Sequence, residues 1–306
     1  MADQQHRLGK VQQQISSGRK WQDRSEAPAD AAETRTLLRQ QNDQKQWQSN
    51  VGAASHWTKA TEARLQGLTD NIQRIHELGV QTINGPHTKA ERKVVAKEVN
   101  EMLESLVTKA ESKFQGNYLF SGTRSDVSPI DVTRNADGKI TAVKANFSND
   151  IDSMDNWQQR EVQVNKATER KYGALAGGNK GVFMDTGHNP ADGDLEPGSS
   201  IFDAAIKLRD TLEAGDVPDE SIVGDIQKGL ERATHAMVEN GVNSSTFEDI
   251  EKRFQEIEAS SNETIDEIRN TDVAQASVRL SELQSSLQAT MRMTVNSQQL
   301  SLSNYL

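Results

Sequence analysis

The residues able to do chemistry are scattered along this chain. Its six histidines stand at positions 6, 56, 76, 87, 188 and 235. No two are four apart and no His-Glu-x-x-His occurs, so the helical spacing that lets two imidazoles share a metal is missing. In HNPADGDLEPG (188–198), Asp192, Asp194 and Glu196 alternate, which suggests oxygen ligands for a cation. A calcium loop of the EF-hand type needs glycine at its sixth position, where Pro197 stands, so an acidic solvated loop is the better reading. GALAGGNKG places Gly173 and Gly178 at the separation of a phosphate loop, but Asn179 stands where that loop needs lysine. No Gly-x-Ser-x-Gly elbow is present. There are no cysteines, which removes disulfides, thiolate metal sites and cysteine nucleophiles. Carboxylates are plentiful, yet without a pocket they specify no reaction. The expectation is no enzyme, no metal and no cofactor.

With no chemistry to position, the elements themselves become the subject. Hydrophobic residues make up 34% of the 306 and mean hydropathy is -0.74, a polar balance suited to narrow apolar seams rather than one thick core. Net charge is -10, with the two signs interspersed. That disfavours nucleic acid and anionic membrane as partners, since both need a basic face. The first twenty residues lack the apolar core of a cleavable signal, and no run of eighteen apolar residues occurs.

The clearest pattern lies between Trp47 and Ile75. Positions 47, 51, 54, 58, 61, 65, 68, 72 and 75 follow a 4-3 spacing, a heptad seam of mostly apolar residues with two threonines. Asn84-Gly85-Pro86 then ends the helix, and Thr88 with Glu91 has capping-box spacing for the next, over 89–113. Val95, Val99, Met102, Leu106 and Ala110 are expected on its inner face. Two β-branched runs flank Asp137-Gly138, a hairpin signal, and REVQVN alternates Val162 with Val164. Helical periodicity returns at Ser199. Ile201, Ala205, Leu208 and Leu212 share one face; Ile222, Ile226, Leu230, Ala233 and Met237 share another. The latter continues through Phe247, Ile250, Phe254, Ile257, Ile265 and Ile268, and then through Leu280, Leu283, Leu287 and Met291.

These segments predict a mainly α fold with a β-rich insert. Residues 1–30 and 272–306 form a terminal helical pair, 31–116 and 199–271 an elongated antiparallel helical rod, and 117–198 a small β domain at its far end. The chain has only fourteen aromatics, and three of them fall in KFQGNYLFSGT (113–123). Phe114, Tyr118 and Phe120 sit where rod gives way to β unit, so their rings are expected to pack that junction.

Four stretches, in order, resemble the bacterial flagellin family, and within it the hook-associated branch. LGKVQQQISSGRKWQDRSEAPADAA (8–32) is similar to the family's amphipathic N-terminal helix and its Pro-Ala-x-Ala entry into the rod. FQGNYLFSGT (114–123) resembles the segment by which the branch leaves its second rod helix. NGVNSSTFE (240–248) is a weak version of a glycine-containing family stretch. The segment 271–306 resembles the C-terminal helix with its Ser-Leu-x-x-Tyr-Leu ending.

Departures from the family pattern are also visible. The family pattern has further residues before the position of Met1, in the region that carries export information. Asn243, Ser244, Ser245 and Thr246 replace an expected Arg and Asn, and Glu26-Ala27 replaces an acidic pair. Local chemistry would break the helix at Asn240-Gly241, with Ser245 and Glu248 as a capping box; the resemblance implies one continuous helix there.

The resemblance implies a structural protein, exported unfolded by the flagellar type III apparatus and located outside the cell in an adaptor ring at the hook–filament junction. Its implied partners are copies of itself, a neighbouring hook-associated protein, flagellin, and an export chaperone on the C-terminal helix. The implied assembly residues are Leu8, Val11, Ile15, Leu280, Leu283, Leu287 and Met291, each of which could equally be bundle core. A filament subunit and an intracellular coiled-coil scaffold are the alternatives.

Overall fold

The computed structural model describes residues 2–146, 158–178, 181–184 and 200–303, with 296–303 by backbone alone. Its helices are α1 (Ala2–Ser17), α2 (Pro28–Asn84), α3 (Lys89–Ala110), α4 (Ile201–Ala214), α5 (Glu220–Arg269) and α6 (Val273–Ser303). Between α3 and α4 lie three antiparallel strand pairs: β1 (Lys113–Phe114) with β2 (Asn117–Tyr118), β3 (Ile130–Arg134) with β4 (Ile140–Ala145), and β5 (Arg160–Asn165) with β6 (Thr168–Tyr172). The fold is thus mainly α with a small β region. By packing, the chain divides into two compact units, residues 1–46 with 253–306, and residues 47–252. This cut passes through α2 and α5; of the boundaries read from element type, 271/272 falls between α5 and α6, 30/31 within the first turn of α2, and 116/117 at the β1–β2 turn.

The larger unit, 47–252, is built on the heptad seam of α2. Every seam position from Val51 to Ile75 is buried, and only Trp47 is half-exposed. The two seam threonines satisfy their hydroxyls inside the helix: Thr58 donates to the Ala54 carbonyl at 2.8 Å and Thr61 to the Trp57 carbonyl at 2.9 Å. That is how a polar side chain is tolerated at a fully buried position. After the Asn84 turn, the Thr88 hydroxyl accepts from the Glu91 N–H, and the Glu91 carboxylate accepts from the Thr88 N–H at 2.7 Å. This reciprocal cap starts α3. The helix ends at Ala110, three residues short of the expected end, because Lys113 already pairs with Tyr118 in β1–β2.

The inner face of α3 is rotated from expectation. Ala96, Val99, Leu103, Leu106, Val107 and Ala110 are buried, while Val95 and Met102 sit half-exposed at its edge. The partner is α4, packed along α3. α4 contributes the expected Ile201, Ala205, Leu208 and Leu212, and also Arg209, which is 2% exposed. Its guanidinium donates to Asn100 Oδ1 at 3.1 Å and to Asp210 Oδ1 at 2.8 Å, which meets the requirement that a buried charge be paired.

α5 runs unbroken through Asn240-Gly241. Its buried positions include Val223, Ile226, Ala233, Asn240, Ser244 and Phe247. The expected Ile257 is instead 43% exposed. Gly229 is required by packing: a Cβ there would meet Ile201 Cδ1 at 2.8 Å.

The hairpins sit on this helical frame. On β3–β4, Ile130, Ile140 and Val143 are buried. At its turn, Arg134 forms a fork with Glu104 of α3 at 2.6 and 2.7 Å, and Lys139 pairs with Asp210 (3.3 Å) and Glu213 of α4. On β5–β6, the Arg160 guanidinium carbon lies 4.1 Å from the Trp57 ring centre, and Tyr172 meets Phe247 edge-on at 5.8 Å. The glycine-rich run 173–178 has its backbone occupied: Ala176 N–H donates to the Phe120 carbonyl at 2.9 Å, and Val182 N–H to the Leu175 carbonyl at 2.8 Å. Asp192, Asp194 and Glu196, the suggested cation ligands, lie outside the described residues, as do Asn179 and His188.

Candidate assembly interface

The smaller unit, 1–46 with 253–306, contains the implied assembly residues. α1 lies antiparallel on α6. At one end the Gln4 amide is 3.5 Å from the hydroxyls of Ser286 and Thr290. At the other, the segment after α1 pairs with the segment before α6. Lys20 N–H donates to the Arg269 carbonyl at 2.8 Å, Thr271 N–H to the Gly18 carbonyl at 2.9 Å, and Arg19 bridges Asn270. The Lys20 ammonium also reaches the Glu267 carbonyl.

Ionic contacts hold the turn after α1. Glu26 accepts from the Gln22 N–H at 3.1 Å and pairs with Lys10 at 3.6 Å. These contacts, the Gln22 hydrogen bond foremost, hold its carboxyl below the ordinary value of 4.5. In the same unit α2 and α5 exchange polar contacts along their length. The Gln41 amide donates to Asn262 at 2.8 Å and the Gln44 amide to the Phe254 carbonyl at 2.7 Å, and Lys45 pairs with Glu258 at 3.7 Å.

Burial along α1 and α6 recurs at heptad spacing. The shielded positions of α6 are 276, 280, 283, 287, 290 and 294, and those of α1 are 4, 8, 11 and 15, joined by 14. Two 4-3 stripes on paired helices face each other. Leu8, Val11 and Ile15 therefore share a seam with Leu280, Leu283 and Leu287. Only Val11 (7% exposed) and Ala276 (7%) are buried among the described residues of the two helices; the leucines and Ile15 are half-covered. Met291 stands off this seam. With Val273, Val278, Met293 and Val295 it leaves α6 apolar surface open to solvent, and Met293 is 75% exposed. Periodicity picks out the leucine stripe; it does not pick out Val278 and Met293, which follow no repeat.

The three aromatics assigned to the β junction have separate surroundings. Gln115 and Gly116 have φ of 51° and 85°, left-handed at both centres of the β1–β2 turn, which is the hairpin geometry that favours glycine. That turn places Phe114 edge-on to Trp57 of α2 at 6.0 Å. Phe120, fully buried, meets Phe183 edge-on at 5.2 Å, and Phe183 stacks on Phe202 of α4 at 5.4 Å. Tyr118 is half-buried, with the Lys113 ammonium 4.2 Å from its ring centre.

Among the described residues, no three His, Asp or Glu side chains converge to hold a metal, and no helix is long and apolar enough to cross a membrane. Residues 1–125 match the family model for the bacterial flagellin N-terminal helical region. The comparison with curated protein sequences yields no match. Among solved structures, a candidate flagellar hook-associated protein of Vibrio parahaemolyticus is similar with a TM-score of 0.63 and 17% identity, over 80% of this chain and 100% of that one. Flagellar hook-associated protein 3 of Legionella pneumophila gives 0.59 and 14%, over 76% and 98%. FlgL of Bacillus cereus gives 0.52 and 16%, over 76% and 99%. At these identities the likeness is one of fold.

Proposed function

We propose that the chain is a member of the bacterial flagellin family, whose N-terminal helical region its residues 1–125 match, and a structural subunit of the flagellum placed outside the cell at the hook–filament junction. The fold shared with hook-associated proteins supports the junction over the filament. The observation that carries the assembly reading is α6. It has 31 residues, yet of those whose side chains are described it buries only Ala276 while exposing Val273, Val278, Met291, Met293 and Val295. A helix gains most of its stability from burying an apolar face, and this one is half finished.

In this reading neighbouring subunits complete the burial of α6. Leu8, Val11, Ile15, Leu280, Leu283 and Leu287 hold the helical pair together, and Met291 with the other exposed residues meets the next copy. The same apolar surface suits a chaperone that holds α6 before export. Flagellin and a second hook-associated protein are the neighbours along the axis.

Immunogold labelling of sheared flagella with an antibody to residues 117–198 tests the proposal. One cluster at the hook–filament boundary is the expected result. Label along the whole filament would make the protein a filament subunit. Protein retained in cells with unlabelled flagella would leave an intracellular scaffold.

A further inference from the structure

We propose that α5 is a two-state helix, with a built-in break at residues 241–245 in which Ser245 becomes the N-cap of a new helix and Glu248 its capping partner. The run Asn240-Gly241-Val242-Asn243-Ser244-Ser245-Thr246 contains only weak helix formers, with glycine the weakest, at the middle of a 50-residue helix. Nothing in the packing calls for that glycine. Gly229 on the same helix is required by Ile201, but a Cβ at Gly241 would meet no atom within 4 Å. The space that would accept a larger residue also lets the backbone turn.

The alternative form is spelled out by a motif this chain uses elsewhere. Ser245 and Glu248 stand at the same separation as Thr88 and Glu91, which form the reciprocal cap that opens α3. In the straight helix that pairing is unused. Glu248 instead binds the Lys59 ammonium of α2 at 3.0 Å, a pair whose members are each nearly half exposed. The Glu248 carboxylate thus has two possible partners, Lys59 in the straight form and the Ser245 N–H in the broken one.

The other tie across the break is incomplete. Asn240, 3% exposed, donates its amide to the Thr58 carbonyl at 2.9 Å, while its own Oδ1 is buried without a partner. An unpaired buried oxygen raises the energy of the straight form. On either side α5 is anchored, by Ala233 buried in the core and by Phe247 against Tyr172. Between these anchors, Val238 and Val242 are each 59% exposed. Asn240 and Ser244 are the buried residues between them and both are polar, so the break falls in a stretch between two fixed points that buries no apolar side chain.

Hydrogen exchange on the full-length monomer, with mass-spectrometric or NMR readout, tests this. The amides of 242–247 should exchange at least about tenfold faster than those of 226–233 and 249–254, as a local opening demands. Gly241→Ala should slow them about fivefold, since alanine favours only the helical form. The deciding measurement is a double-mutant cycle. Lys59→Met frees Glu248 and should speed exchange about threefold, the worth of an exposed ion pair. In a Ser245→Ala background that effect should shrink, because without the hydroxyl that accepts from the Glu248 N–H the freed carboxylate joins only half a capping box. Ordinary fraying predicts that the two changes act independently. Independent effects, or uniform protection from 238 to 250, would overturn the two-state helix.

Discussion

α4 and α6 follow opposite rules of construction. α4 has 14 residues and buries eight of them, including Phe202 and the paired Arg209. α6 is more than twice as long, and its described part buries one. α4 is covered on one side by α3 and reached on another by β4. α6 has α1 for company, and α1 itself buries only Val11. The difference lies in neighbours, since both helices carry apolar residues at helical spacing. A helix sequence specifies a stripe; how much of that stripe becomes core depends on what the rest of the chain lays against it.

The largest expected effect breaks the well-covered side. Phe120→Ala removes the ring that meets Phe183, and should cost about 3–5 kcal/mol, the range for truncating a fully buried aromatic. Thermal unfolding followed by near-ultraviolet circular dichroism, which reads the packed rings, should show it. The matching change on the poorly covered side is Leu283→Asp with Leu287→Asp. It should abolish self-assembly, read by sedimentation or electron microscopy, while the near-ultraviolet signal of residues 47–252 stays as it was. Loss of that signal would mean that the leucines support the whole fold.

Limited proteolysis sharpens the contrast without mutation. Cuts in α1 and α6 should precede any cut within α3 or α4, because local opening is least costly where little is buried. Thr88→Ala removes one side of the α3 cap and should cost about 1 kcal/mol, measured by chemical denaturation. The smallest effect is acid titration of the same cap. Hydrogen bonds from Thr88, backbone first, hold the exposed Glu91 carboxyl below its ordinary value of 4.5. Its folded value is the lower one, so its contribution is whole above pH 4.5 and fades as pH falls through the folded value. Stability-versus-pH curves of wild type and Glu91→Gln should converge below that point.

Much of this was legible in the residues. The α2 seam, the Thr88–Glu91 cap and the hairpin at Asp137-Gly138 each rest on local rules, and each occurs where those rules put it. What escaped reading was set by partners. Val95 and Ala96 fit a helical stripe equally well, and the packed fold buries Ala96. The buried stripe of α5 passes through Gly229, Asn240 and Ser244, which no hydrophobic pattern would nominate. Gly229 is there for Ile201 and Asn240 for the Thr58 carbonyl, two long-range requirements. In the candidate interface, spacing finds Leu280, Leu283 and Leu287, but only coordinates divide them from the exposed Met291 and Met293.

The backbone pairing of 18–20 with 269–271 has a consequence in time. Lys20 and Glu267, joined there, are 247 residues apart in sequence. Closing a loop of that length carries an entropic cost that the few hydrogen bonds at its ends cannot offset alone. Residues 47–252 must therefore fold first and shorten the effective loop. A chain emerging from any narrow passage would hold a finished middle while its first helix still waited for its last. The order of maturation is written into which residues meet, and the pairing of the two chain ends is the last to take shape.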